Sequence, residues 1–197
     1  MRMLLLLGWT ALPIAGVAYH YGPGQDRLQL DDVAALVASA EQATANKDFA
    51  TAVDDYDAAL KQLPADRTAL SRRLRLERSK AMMNNSGLPT ANKELEALVD
   101  ELADDASADA TLVRDSRRAL ASSQFYMTWL LRLEGKGREE WEPQVEAARQ
   151  NYRMLAESAD GDGRAADAKQ DREDLEATIR LARIQIEDLQ GLPLPSQ

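Results

Sequence analysis

The sequence predicts an all-α protein, and three observations lead to that prediction. Alanine, leucine and charged residues dominate its 197 residues, of which 45% are hydrophobic but only 5% aromatic. That composition is typical of helical proteins rather than of sandwiches or barrels. Apolar residues recur at spacings of three and four along most of the chain, as they do on one face of a helix. Glycine, proline and asparagine separate these periodic stretches, as expected of turns between helices.

The first element is an apolar segment that we predict to be a transmembrane signal-anchor over residues 1–21. Arg2 is its one charged residue, and an uncharged run follows over 3–21. Such a run reaches the lower end of the ~20 residues that span a bilayer. Trp9 and Tyr19 are amphipathic aromatics of the kind found at membrane interfaces. A cleaved signal peptide is the alternative, because small residues at 16–18 resemble a cleavage site.

The charges around this segment predict its orientation. The N-terminal amine and Arg2 precede the apolar run, whereas acidic residues are frequent after it. The positive-inside rule then keeps the N-terminus in the cytoplasm. We therefore expect a single-pass protein of a bacterial inner membrane whose C-terminal domain lies in the periplasm.

Seven helices are expected after the anchor. Gly22 to Gln25 suggest a linker over 22–29, and a helical domain over 30–190 follows before a tail over 191–197. The first five predicted helices are 30–46, 48–63, 66–83, 90–103 and 108–134. Pro143 suits the first turn of a sixth helix. The last helix is predicted over 164–190, after a turn at 160–163.

One stretch of the chain, residues 33–66, resembles a tetratricopeptide repeat of 34 residues. The residues that carry the resemblance occupy the small and aromatic positions of two helices and the closing proline: Leu36, Ala40, Phe49, Ala52, Tyr56, Ala59 and Pro64. The first helix departs from the family pattern, since Ser39 and Ala43 replace larger residues. The resemblance implies a short right-handed α-solenoid of helical hairpins, with a concave groove that holds a segment of a partner protein.

The repeat recurs only in degenerate form. The offsets of Ala52, Tyr56 and Ala59 return in two later triplets, Ala91-Leu95-Leu98 and Ala148-Tyr152-Leu155. The triplets begin 39 and 57 residues apart, not at a steady 34. We therefore expect one clear repeat and two degenerate ones. They should stack, because a single repeat cannot bury its apolar face alone.

Basic residues concentrate in the third predicted helix of this otherwise acidic chain, whose formal net charge is −9. Within that group, Arg72, Arg75 and Arg78 share a stripe and are the candidate partner-binding residues. They suit an acidic peptide or helix, because guanidinium groups bind carboxylates with two parallel hydrogen bonds. The alternative is internal pairing with the acidic residues between 94 and 109. A second basic cluster contains Arg114, Arg117 and Arg118.

Four aromatic residues within seventeen positions are expected to belong to the core rather than to an interface: Phe125, Tyr126, Trp129 and Trp141. Trp129 should seal the fifth helix against the sixth. Residues 160–163 look like a calcium loop, but Arg164 and Ala165 occupy positions that an EF-hand gives to a ligand and to glycine. We interpret them as a turn between helices.

Composition and motifs together predict no catalysis. The chain has no cysteine, and it shows no phosphate-binding loop, nucleophile elbow or zinc-ligand spacing. No cofactor or metal is expected, and the acidic charge argues against nucleic acid as a partner. We predict a membrane-anchored adaptor that binds proteins. The alternative is a structural subunit of a larger membrane complex, assembled through a heptad stripe from Leu175 to Leu189.

Overall fold

The computed structural model describes residues 23–184, and side chains from Leu28 onward. All regular secondary structure in this range is helical, which confirms the predicted all-α class. The helices are α1 (Pro23–Ala45), α2 (Phe49–Gln62), α3 (Thr68–Asn84), α4 (Leu88–Ala103), α5 (Ala110–Leu133), α6 (Arg138–Gly161) and α7 (Ala165–Arg183). The chain divides into two compact units, Met1–Ser71 and Arg72–Gln197.

The predicted anchor over 1–21 lies outside the described residues, as does the tail over 191–197. None of the helices between residues 23 and 184 has the length and apolar character that crossing a bilayer requires.

The predicted linker over 22–29 is corrected by the structure, because α1 begins at Pro23 rather than at Leu30. Proline is favoured in the first turn of a helix, where its missing N–H has no intrahelical acceptor and its fixed φ suits the helix. Gly24 costs helix stability but does not end the helix.

The first unit is built on a hairpin of α1 and α2. Its turn lies at Asn46–Asp48 as predicted, with Lys47 at a φ of 61°. The Asp48 carboxylate caps α2 by accepting a hydrogen bond of 3.2 Å from the Thr51 amide. The buried hydrophobic residues of the hairpin are Val33, Ala40, Ala43, Ala52, Tyr56 and Ala59. Small residues at most of these positions let the two helices approach closely.

The second unit is organised around α5. Every residue from Ala119 to Phe125 is buried, so helices must cover α5 on all sides. Leu120 packs with Leu76 of α3 and Leu95 of α4, while Ala121 packs with Tyr152 of α6. Phe125 packs instead with two residues of α7, Ala177 and Leu181.

The three triplets that the sequence singled out all lie on buried faces. Their nine residues are at most 3% exposed. The triplets lie on α2, α4 and α6, so every second helix of this part of the chain buries the same pattern of residues.

The bounds of α6 and α7 differ from the prediction. Helix α6 begins at Arg138, before Pro143, because Glu139 and Glu140 in its first turn suit the helix dipole. Helix α7 ends at Arg183 and not at Gln190. Ile184 adopts an extended conformation with a ψ of 152°, which is incompatible with a further helical turn.

Of the four aromatic residues expected in the core, Phe125 is buried, whereas Tyr126, Trp129 and Trp141 are half-buried, and the partner helix differs from the prediction. Phe125 is fully buried, and Tyr126 and Trp129 pack with it against α7 rather than sealing α5 against α6. Trp141 lies beneath the guanidinium of Arg132, whose central carbon is 4.9 Å from the ring centroid. Burial of these rings therefore joins α5 to the C-terminal half of α7.

Candidate functional site

The predicted partner-binding arginines, Arg72, Arg75 and Arg78, lie along α3 and face carboxylates of the segment around α4. Arg72 Nε is 2.7 Å from Glu101 Oε1, and its Nη1 is 2.5 Å from Asp105 Oδ2. Arg75 Nη1 is 2.5 Å from the second oxygen of Glu101. The structure thus brings Arg72, Arg75 and Arg78 together on one stripe. It also pairs Arg72 and Arg75 with carboxylates of the same chain, as the alternative of internal pairing predicts.

Arg78 completes this charged layer. Its two terminal nitrogens lie 3.1 and 3.2 Å from the two carboxylate oxygens of Glu94. The acceptors are two glutamates of α4, Glu94 and Glu101, and Asp105 just after its end. A partner's carboxylate would therefore have to displace an internal one. Partner binding through this stripe remains a prediction.

Two carboxylates of this layer, those of Glu101 and Asp105, have lowered pKa values. The pKa of Glu101 is lowered by hydrogen bonds from Arg72 and, to a lesser extent, Arg75. The pKa of Asp105 falls to about 2, chiefly because the Ser107 hydroxyl donates to it and then because Arg72 does. Both groups are therefore ionised at neutral pH and hold the arginines in place.

The second basic cluster of the sequence divides into two environments. Arg118 points into the second unit, where its Nε and Nη2 each donate a 2.9 Å hydrogen bond to the carboxylate of Asp171. Arg114 and Arg117 instead line a cleft of about 460 Å³ formed by α5, α6 and the start of α7. Arg164, the residue preceding α7, lines the same cleft.

We call this cleft the arginine cleft. Its lining is basic at the rim and largely apolar elsewhere, and consists of Ala108, Ala110, Val113, Arg114, Arg117, Met154, Leu155, Ser158, Asp162 and Arg164. Three arginines and one aspartate line the cleft, and two further carboxylates lie beside them: Asp115 Oδ1 is 3.6 Å from Arg114 Nε, and Asp167 Oδ2 is 2.8 Å from Arg164 Nη1.

The hydrogen-bonding capacity of two of these arginines is incompletely used. The Arg117 guanidinium contacts the thioether sulfur of Met154, 3.3 Å from Nη1, and a thioether is a weak acceptor. The Arg114 Nε is buried without a hydrogen-bond partner, and its nearest carboxylate is that of Asp115 at 3.6 Å. Arg164 differs, because Asp162 and Asp167 both accept from it.

Other buried polar groups between α5, α6 and α7 serve packing rather than binding. The Tyr152 side chain is completely buried, and its hydroxyl and that of Ser122 are both without a well-formed hydrogen bond despite being neighbours. Burial, followed by the nearby charge of Asp174, raises the pKa of Tyr152 well above its usual value.

Helix α7 presents a partly polar face to the core. The heptad stripe, which the alternative interpretation assigns to assembly, includes Leu175, Ile179 and Ala182, and these are half-buried. The buried face is formed by Ala168, Asp171, Asp174, Ala177, Thr178 and Leu181. The Arg118 guanidinium pairs with Asp171 on this face. Leu175 still packs against the Tyr152 cluster.

The helix–helix turn predicted at 160–163 is present but lies at 162–164, because α6 continues through Asp160 and Gly161. Gly163 has a φ of 70°, a left-handed conformation that favours glycine. Asp160 and Asp162 bind Arg172 and Arg164 rather than facing one another. Within residues 23–184, no group of three potential ligands among histidine, cysteine and carboxylate side chains is arranged to hold a metal ion.

The arginine cleft combines residues that sequence reasoning noticed and residues that it missed. Arg114 and Arg117 were recognised as a basic cluster, but Met154 and Arg164 had no visible relation to them. Their positions follow from tertiary packing of α6 on α5. A spacing of three between Arg114 and Arg117 was the available signal, since it places both on one helix face.

Comparison with known proteins finds no match to a family model, to a curated protein or to a solved structure.

Proposed function

We propose that this protein is a membrane-anchored adaptor of tetratricopeptide-like helical hairpins that binds other proteins and catalyses no reaction. The observation that carries the proposal is the burial of one recurring residue pattern on α2, α4 and α6. Repeated helical hairpins that share a buried pattern favour stacking into a short right-handed α-solenoid. Proteins of that architecture present extended surfaces to segments of their partners.

We place the adaptor at a bacterial inner membrane, with residues 1–21 as its single-pass anchor and the helical domain in the periplasm. Support comes from the uncharged run over 3–21 and from the positive charge that precedes it. Protease treatment of spheroplasts tests this proposal. Degradation of the helical domain in intact spheroplasts is the expected result, and protection of the domain contradicts the periplasmic placement.

The stripe of Arg72, Arg75 and Arg78 belongs to this proposal as a surface for an acidic peptide or helix. Such a segment would exchange with the α4 carboxylates rather than bind to unoccupied guanidinium groups. Arg75 is the most accessible of the three, with 31% of its side chain exposed. A partner's carboxylate would therefore reach Arg75 first.

The adaptor function is tested by isolating the full chain, with an affinity tag, from detergent-solubilised membranes after cross-linking in cells. Residues 1–29 fused to the same tag serve as the control for proteins recruited by the membrane segment alone. We expect a protein that copurifies reproducibly with the full chain and not with the control. Identical sets of proteins in both samples would show that the helical domain recruits nothing.

A further inference from the structure

We propose that the arginine cleft is a docking site for an acidic segment of a partner protein, in which a carboxylate binds Arg114 and Arg117 and an adjacent apolar side chain covers Met154. This inference rests on the proposed adaptor function and assigns it a site. The cleft belongs entirely to the second unit, so its geometry is that of one compact body.

The two arginines are arranged to receive one carboxylate. They lie three residues apart on α5, which places them side by side on the helix surface. Arg117 would exchange a thioether sulfur, a weak acceptor, for a charged oxygen. Arg114 would gain an acceptor near a nitrogen that is buried without one. Both exchanges favour the bound state.

The apolar part of the cleft favours a protein segment over a simple anion. Val113 and Leu155 line it, and Met154 is 47% exposed. Methionine is flexible and polarizable and adapts to the side chains of different partners. A free phosphate or carboxylate would leave this surface exposed to water.

The charge of the chain argues against two other macromolecular ligands. A formal charge of −9 repels nucleic acid and the anionic surface of a membrane over the range of the Debye length. A short acidic segment can enter the cleft and meet the guanidinium of Arg117, which contacts the Met154 sulfur, while the rest of its protein remains at a distance. The occupant is therefore an acidic peptide segment with apolar neighbours.

The experiment measures fluorescence anisotropy of a labelled peptide of alternating glutamate and leucine, titrated with the full chain in mild detergent. A peptide with glutamine in place of glutamate is the chemical control. Arg117→Glu is the test variant, because the side chain makes one weak contact and its loss should not unfold the protein. Arg153→Glu, on the exposed surface of α6 outside the cleft, introduces the same change of charge. Far-UV circular dichroism and the thermal midpoint verify that each variant is folded.

We expect the glutamate peptide to bind the parent chain and Arg153→Glu alike, and to bind Arg117→Glu at least about tenfold more weakly, the effect of losing one charged hydrogen bond. The glutamine peptide should bind the parent chain more weakly than the glutamate peptide by a similar factor. Equal weakening by both variants, equal binding of both peptides, or no binding would each overturn the proposal. The chain is also titrated with single-stranded nucleic acid and with anionic lipid vesicles. The proposal is overturned as well if Arg117→Glu weakens binding to one of these ligands but not binding to the peptide.

The same variants separate this inference from the adaptor function. If the tagged Arg117→Glu chain retains the partner found with the parent chain, the adaptor function stands and the assignment of the cleft is wrong. If the peptide binds as expected but no protein copurifies from membranes, the cleft assignment stands and the adaptor function is wrong.

Discussion

The guanidinium of Arg118 and the carboxylate of Asp171 form a bidentate ion pair that joins α5 to α7, with both hydrogen bonds at 2.9 Å. No part of the Asp171 side chain is exposed to solvent. This pairing explains why α7 turns a partly polar face to the core. It is also the clearest point at which one substitution should unfold the second unit.

We predict that Asp171→Ala lowers the free energy of unfolding by about 3–5 kcal/mol, because it leaves the charge of Arg118 without its buried partner. Replacing both residues, as Arg118→Met with Asp171→Leu, should cost less than either single change. Urea unfolding followed by circular dichroism measures both. Arg172→Met, which breaks an exposed pair with Asp160, is the control and should cost no more than about 1 kcal/mol. If Asp171→Ala and Arg172→Met lower the free energy of unfolding equally, the buried ion pair does not stabilise the second unit more than an exposed one.

The end of α7 should depend on Arg132. Its guanidinium is buried, lies over Trp141, and donates to the carbonyl oxygens of Leu181 and Ile184. Arg132→Met removes these bonds but keeps most of the side-chain volume. We expect a loss of about 1–3 kcal/mol and faster hydrogen exchange in the last turn of α7.

A neighbouring substitution serves as the comparison for Arg132. Trp141→Leu leaves the carbonyl contacts intact and removes the cation–π contact, which is worth about 0.5–2 kcal/mol. Exchange in the last turn should therefore remain slow in Trp141→Leu. Unchanged exchange in Arg132→Met would show that the helix end is held by other contacts.

The charged layer between α3 and α4 predicts acid sensitivity. The folded-state pKa values of Glu101 and Asp105 lie below their unfolded values of 4.5 and 3.8, and that of Asp105 is about 2. Their contribution to stability is therefore complete above pH 4.5 and is lost as the pH falls towards 2. Thermal midpoints of the parent chain should fall across this range.

Two variants apportion this acid sensitivity. Arg72→Gln should flatten the decrease, because Arg72 hydrogen-bonds both carboxylates. Ser107→Ala should flatten the decrease through Asp105 alone, because the hydrogen bond from the Ser107 hydroxyl lowers the pKa of Asp105 the most. If Arg72→Gln and the parent chain show the same dependence of the thermal midpoint on pH below 4.5, the acid sensitivity does not come from Glu101 and Asp105.

The buried hydroxyl of Tyr152 should be dispensable. Because it lacks a well-formed hydrogen bond, Tyr152→Phe should be neutral or should raise stability by up to about 1 kcal/mol. Tyr152→Ala should cost about 3–5 kcal/mol, since it removes the fully buried ring. The folded-state pKa is raised above 10, so the parent chain should lose stability as the pH rises beyond 10, and the phenylalanine variant less so. A large loss in Tyr152→Phe would reveal a partner for the hydroxyl.

Much of the fold could be predicted from local patterns. Turns at Asn46–Asp48 and at 162–164 combine residues that tolerate left-handed or capping conformations, and both turns are present. The apolar triplets on α2, α4 and α6 are buried because their spacing follows the helical period. These features depend on residues close to one another in the sequence.

The features that could not be predicted depend on tertiary contacts. Pro143 indicated a helix start, but α6 begins at Arg138, with Glu139 and Glu140 in its first turn. The sequence of α7 gave no sign that Asp171 and Asp174 lie on its buried face, where Asp171 pairs with Arg118 of α5. The arginine cleft likewise requires α5, α6 and the start of α7 to be placed together, which no local pattern reports.

The most direct test of the account is site-specific photocross-linking in cells at position 154, where a benzophenone amino acid replaces the exposed Met154. The same substitution at Arg153, outside the arginine cleft, is the control. We predict that position 154 cross-links to a protein partner, that position 153 does not, and that adding Arg117→Glu abolishes the adduct. The same adducts from both positions, or an adduct that survives Arg117→Glu, would contradict an adaptor that binds its partner through this cleft.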